Sequence, residues 1–200
     1  MAGFSSPIRH ALATGASPRL ANGIHRLEGE VRFNGKPRRV GDLLSAPLEV
    51  VTGERALAAF SLGRNAYLVR GNSRISIADT DGKGADVWVE AGRLLSVFEK
   101  GEARVMTPTA VAGIRGTGIY VETEAERSYV CLCYGTAELA AAHNAGLRET
   151  VSTTHHESPR YISTQAILPA PVINHTDAEL ILLESLVGRV PPFALAGAHY

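Results

Sequence analysis

Short runs of β-branched and aromatic residues, four to six long and cut by Gly, Asn or Asp about every ten residues, fill the chain from Leu27 to about Leu139. A helix needs an apolar residue at every third or fourth position over ten or more residues, and runs this short cannot supply that. Extended strands can. The predicted strands are Gly29–Phe33, Leu48–Val51, Leu57–Leu62, Ala66–Val69, Arg74–Ile77, Ala85–Glu90, Leu94–Phe98, Arg104–Thr107, Ile119–Glu122 and Tyr129–Tyr134. Their cadence is that of an all-β sandwich, barrel or solenoid. Asn34-Gly35, Gly71-Asn72 and Asp81-Gly82 are turn dipeptides, because φ > 0 costs Gly and Asn little. The chain has 20 glycines, and most lie between Gly29 and Gly118, where they separate these runs.

The flanks read differently. Residues 1–26 are rich in Ala, Gly, Ser and Pro without a sustained period, which predicts a loose N-terminal segment ahead of a β domain at 27–139. Residues 140–200 form a C-terminal extension in which Ala140 to Leu147 is ambiguous and Ser152–Glu157 reads as a loop or strand edge. A helix follows at about 177–187. Thr176 and Glu179 make a T-x-x-E capping box, and Asp177 and Glu179 sit at the positive end of the helix dipole. Leu180, Leu183, Leu186 and Val187 share a face, Gly188 stands at the C′ position, and Pro191-Pro192 stops continuation. That apolar face is expected to dock on the β body, the alternative being a partner surface.

Twenty acidic against 20 basic residues leave no net charge, which argues against nucleic-acid binding through a broad basic field. No stretch approaches the roughly 18 consecutive apolar residues of a membrane span. The N-terminus lacks the apolar core of a secretory signal, so the sequence as written reads as cytoplasmic. Two cysteines cannot make a disulfide-dense scaffold.

Those cysteines are the best candidates for chemistry. In the strand Tyr129–Tyr134, Cys131 and Cys133 point to one face and Leu132 to the other. Their Cα atoms stand roughly 6.5–7 Å apart, near the outer limit for a disulfide, whereas a metal ion adds reach through bonds of about 2.3 Å. His155, His156 and His175 follow. Two thiols and two imidazoles make a tetrahedral set for zinc, and one soft enough for copper or iron. Adjacent histidines in an extended segment face opposite ways, so from a regular strand at most one of His155 and His156 joins the cysteines; a loop relaxes this. The competing readings are two small buried hydrophobes or a redox pair. A thiol enzyme would need Glu157 or Asp177 to orient a histidine base, and no G-x-S-x-G, H-E-x-x-H or C-x-x-C motif accompanies it.

Taken together, Gly29-Glu30-Val31 with Asn34-Gly35, Val40-Gly41-Asp42-Leu43, Val51-Thr52-Gly53, Ala59-Phe60-Ser61-Leu62 and Ser73-Arg74-Ile75 resemble the FecR domain in order and spacing. The resemblance is strongest over Val105-Met106-Thr107-Pro108-Thr109-Ala110 and Gly113-Ile114-Arg115-Gly116-Thr117-Gly118-Ile119-Tyr120-Val121. Thr107 before Pro108 is held extended, and Gly116 and Gly118 flank a short polar turn at which backbones can approach closely. Thr107, Pro108, Arg115, Gly116, Thr117 and Gly118 therefore read as a structural motif, with a phosphate nest as the alternative; no helix follows Gly118 to complete one. The resemblance implies a β-solenoid-like or irregular sandwich domain with a C-terminal helix. It further implies a non-enzymatic binding or signalling module of bacteria with a protein partner, periplasmic if a leader was removed. Known members include anti-sigma regulators; their membrane span and sigma-binding helices have no counterpart in this sequence. Metal or ligand sensing through the Cys/His set is compatible with that role.

Overall fold

The computed structural model describes residues 22–79 and 84–196. Most of the expected loose segment at 1–26, and the Asp81-Gly82 turn, lie outside the described residues. Among the described residues, fifteen strands form one sheet. They are β1 (Gly23–Glu28), β2 (Val31–Phe33), β3 (Lys36–Pro37), β4 (Leu48–Thr52), β5 (Leu57–Leu62), β6 (Asn65–Arg70), β7 (Arg74–Asp79), β8 (Gly84–Ala91), β9 (Arg93–Val97), β10 (Glu102–Met106), β11 (Ala110–Thr123), β12 (Arg127–Ala141), β13 (Asn144–Thr153), β14 (Arg160–Ser163) and β15 (Ile167–Pro169). Two helices close the chain, α1 (Asp177–Leu186) and α2 (Pro192–Ala196).

The long β11–β12 hairpin organises the sheet. On one edge, the first part of β11 pairs with β10 and its second part with β9. On the other edge, the start of β12 pairs with β14 and its end with β13. Two half-sheets result, β1-β5-β6-β9 and β10-β8-β7-β4-β2-β3, joined through the hairpin. They face each other across the main core, where Phe33 of β2 meets Phe60 of β5 edge to face at 5.6 Å. Among the described residues all pairs are antiparallel except β8–β10, and the mainly β chain forms one curled sheet.

The hairpin bends at Arg115–Gly118, where the register shifts twice. The sequence predicted a turn there. The structure places a bulge inside a 14-residue strand instead, because the strand must leave one half-sheet and enter the other, and a bulge re-aims it. Gly118 permits the crossing: a Cβ on it would stand 2.5 Å from the Tyr134 ring.

Three further segments differ from expectation. Gly23 to Arg26, counted with the loose segment, lie in β1 beside β5. The ambiguous stretch after Leu139 continues β12 and turns into β13, so a strand runs through the expected boundary at 139. Strands β14 and β15 are too short to show a period. The helix is as expected: Thr176 and Glu179 form the capping box. Arg189 N bonds Glu184 O at 2.9 Å and Gly188 N bonds Ser185 O at 3.2 Å, closing a Schellman turn.

A second core lies on the outer face of the β5-β6-β9-β11-β12 half. Ala59, Leu68, Leu95, Tyr120 and Tyr129 point outward there, and Leu180, Leu183, Leu186 and Val187 of the α1 region cover them. Period 2 sends Val130 and Leu132 to the main core and Cys131 and Cys133 to this second one.

Candidate metal centre

Cys131 and Cys133 are fully buried on β12. The β13–β14 connection carries His156 over them, with His156 in the left-handed conformation at φ 56°. Tyr129 anchors the chain that brings His175 in: its hydroxyl donates to Pro171 O at 2.9 Å and accepts from Ile173 N at 3.3 Å. The His175 ring stacks on Tyr120 at 4.5 Å. One ligand atom from each of Cys131, Cys133, His156 and His175 lies within 4.8 Å of the others.

The hydrogen bonds fix which nitrogens carry protons. His175 Nδ1 faces the Ile173 carbonyl at 2.6 Å, and a carbonyl only accepts, so Nδ1 is the donor and Nε2 keeps its lone pair. His156 Nε2 faces the Asp177 carboxylate at 3.1 Å, so it donates and Nδ1 keeps the lone pair in the neutral ring. Those two lone-pair nitrogens confront each other at 3.0 Å, and Cys131 Sγ stands 3.6 Å from His156 Nδ1. Two acceptor nitrogens pointed at each other repel unless a cation lies between them, whether a metal ion or a proton that makes His156 an imidazolium, and Cys131 Sγ stands beside that point. Metal-bound histidines characteristically donate their second N–H to a carboxylate or a backbone carbonyl, and both histidines do so here. A tetrahedron with metal–sulfur bonds of about 2.3 Å and metal–nitrogen bonds of about 2.0–2.1 Å has S···N edges of about 3.6 Å, the separation found for Cys131 and His156.

The electrostatics agree. The hydrogen bond from Cys133 brings the Cys131 thiol down to about 4, against its burial and with help from His156 and His175. Burial pushes Cys133 up, reinforced by Cys131. Burial opposes charging His156, yet Cys131 and Asp177 together raise it. The site thus favours one thiolate and one cation beside it.

His155 is not brought to the cysteines. It points outward, half-exposed, with Nε2 2.9 Å from Asp177 Oδ1 and its ring stacked on Phe193. Asp177, singled out from sequence for the helix dipole and as one of two orienters for a thiol enzyme, accepts from both histidines. The other orienter, Glu157, bonds Thr153 and Thr154 instead.

The Thr107–Gly118 stretch contributes no residue to the clustered ligand set. Thr107 Oγ1 accepts from Ala110 N at 2.8 Å and meets Ser128 Oγ at 2.7 Å, tying the Pro108 turn to β12. Arg115 is exposed and pairs with Glu102 at 3.5 Å. Gly116 backs onto Lys100, and Thr117 Oγ1 is buried without a hydrogen-bond partner. Gly118 lies against Tyr134 and Leu180, so its space is filled by the protein's own side chains.

No family model matches the sequence, and no curated protein matches it significantly. Solved structures do share the fold. One crystal structure of a proposed anti-sigma factor from Parabacteroides distasonis aligns over 61% of this chain and 58% of its own, at 13% identity and a TM-score of 0.51. A second from the same organism, also a proposed anti-sigma factor, aligns over 68% of this chain and 64% of its own, at 14% identity and the same TM-score of 0.51. The match thus spans less than two thirds of either neighbour. No described helix is long and apolar enough to cross a membrane.

Proposed function

We propose that this chain is a non-enzymatic β module that binds one transition-metal ion of the zinc class through Cys131, Cys133, His156 and His175, and that it serves a regulatory role through a protein partner. The observation that carries the metal reading is the convergence of the His156 and His175 lone pairs on the Cys131 sulfur, with both rings already tied back by Asp177 and the Ile173 carbonyl. Two thiolates and two imidazoles suit zinc and also copper(I) or iron(II). The regulatory part is supported by the fold shared with proposed anti-sigma factors and by the FecR-like motifs.

Protein purified without a histidine tag and analysed for metal should carry one equivalent, and cobalt(II) should replace it with an intense tetrahedral spectrum and a thiolate charge-transfer band. Loss of both in the C131S/C133S variant supports the reading. Native protein that carries no metal and takes up neither zinc, copper(I) nor cobalt(II) overturns it.

A second reading has one observation in its favour. Cys131, His156 and Asp177 stand in the order of a thiol relay, at 3.6 Å and 3.1 Å. Cys131 has no exposed surface through which a substrate could reach it. Rapid alkylation of Cys131 in the native protein at neutral pH would favour this reading over the first.

A further inference from the structure

The four ligands divide unequally between the sheet and the C-terminal segment that covers it, and the consequence rests on the metal reading above. Cys131 and Cys133 belong to β12, which pairs with β11 on one edge and on the other with β14 before the cysteines and β13 after them, Cys133 O itself accepting from His156 N at 3.0 Å. His175 belongs to the segment from Pro171 to Ala196, which adds no strand to the sheet. Helix α1 has ten residues, below the roughly 12–15 at which an isolated helix becomes even marginal in water. It persists because Leu180, Leu183, Leu186 and Val187 lie on the outer face of the sheet. The remaining ties are polar: Arg70 to Glu179 and to Asn174 O, each at 2.8 Å, Asn174 to Glu122 at 2.7 Å, Tyr129 to Pro171 O and Ile173 N, His155 and His156 to Asp177, Tyr134 to the buried Glu184, and Arg189 to Arg64 O.

We propose that the metal ion is a latch: bound between the β12 cysteines and His175, it holds the segment from Pro171 to Ala196 on the sheet, and its loss lets that segment open. An open segment carries His175 away and leaves at most three of the four ligands, so the ion binds the closed form selectively. Selective binding disfavours opening; with free zinc at 100 times its Kd the open form becomes up to about 100-fold rarer, and less so to the extent that the three remaining ligands hold the ion. Opening uncovers Ala59, Leu68, Leu95 and Tyr120, a face that is sealed while the ion is in place. Metal status is thereby converted into exposure of an apolar surface. The main core, which has no ligand in it, stays intact.

Hydrogen exchange on the full chain, zinc-loaded against EDTA-stripped, tests the latch, with bound zinc counted in the same samples. The expected result is one zinc per chain and protection of the α1 amides at least about tenfold and up to about 100-fold higher when loaded, while β5, β6 and β7 exchange equally in both. The C133S variant, altered on β12 and not in the segment, should lose that zinc-dependent increment. Zinc bound with no change at α1, or with equal protection gained throughout the sheet, overturns the latch and leaves the metal reading standing. Absence of bound zinc, copper(I) or cobalt(II) overturns both.

Discussion

Glu184 offers a way to loosen α1 without touching the proposed metal centre. It is 3% exposed, accepts from the Tyr134 hydroxyl, and pairs with Arg189 Nε at 2.5 Å. Arg189 also donates to Arg64 O at 2.7 Å, and its Nη2 is buried without a partner. Glu184→Ala therefore strands a guanidinium and a phenol under the helix. Removing one member of a buried ion pair costs about 3–5 kcal/mol. Arg189 keeps 23% side-chain exposure, so water screens part of the loss, and the lower end of that range applies. The orphaned Tyr134 hydroxyl adds about 1 kcal/mol. At 1.4 kcal/mol per factor of ten, a total of about 3–4 kcal/mol speeds exchange of the α1 amides a few hundred-fold. The assay is hydrogen exchange at saturating zinc, with chemical denaturation as a control. Glu184→Gln, which keeps an acceptor for Tyr134 but not the charge, should show about half the effect. In a double-mutant cycle Tyr134→Phe should add little once Glu184 is gone. Less than tenfold acceleration at α1, or equal acceleration in β7 and β8, would refute the assignment of Glu184 as a local anchor.

Three other outcomes follow from particular contacts. Thr176→Ala removes the capping box of α1 and should cost about 1 kcal/mol of local stability, read as faster exchange confined to residues 177–181; no change would mean that docking alone sets the helix start. Gly118→Ala places a Cβ 2.5 Å from the Tyr134 ring and 3.1 Å from Leu180, and should lower stability by about 1–3 kcal/mol in denaturation. A neutral result would show that the bulge can shift freely. Glu157 is brought down to about 2 chiefly by Thr154 and Thr153. Its stabilisation is therefore complete above its ordinary value near 4.5 and is lost as pH falls toward 2. The melting difference between the wild type and Glu157→Gln should close across that window, and a pH-independent difference would refute the assignment.

How far the sequence reaches is set by the range of each interaction. Period-2 alternation is local, so the shared face of Cys131 and Cys133 and the opposite face of Leu132 are legible from three adjacent residues. The capping box and Schellman turn of α1 are equally local and appear where Thr176, Glu179 and Gly188 place them. The bulge at Arg115–Gly118 depends on where two half-sheets meet, and two glycines around a polar pair look the same in a turn. Strand β13 carries polar residues, among them Arg148, Glu149 and Thr150, on an edge that pairs only with β12, so it lacks the apolar signal of a buried strand. The choice of His156 over His155 is a matter of a left-handed residue in a loop, which neighbouring residues do not announce. The reach of Asp177 to both histidines spans about twenty residues of chain and exists only once α1 has docked.

The distribution of ligands also says what a metal ion can do here that it does not do in a small zinc domain. Where a metal supplies the core, its removal unfolds the chain, because binding free energy is folding free energy. This chain has a main core of Phe33, Phe60, Tyr67, Ile75, Val87 and Leu132, all buried and independent of the Cys/His set. Binding energy at the proposed centre would therefore have little global folding to support, and would fall on the equilibrium that the candidate ligands bridge, between the sheet and its C-terminal cover. The second core makes that equilibrium consequential. Cys131, Cys133, Tyr120, Tyr129 and the leucines of α1 form one cluster, so on the latch proposal the candidate ligands and the apolar contacts of the helix would open and close as a unit. A centre placed in the main core could at most stabilise the fold, whereas one placed at this seam can report on an ion by moving a surface.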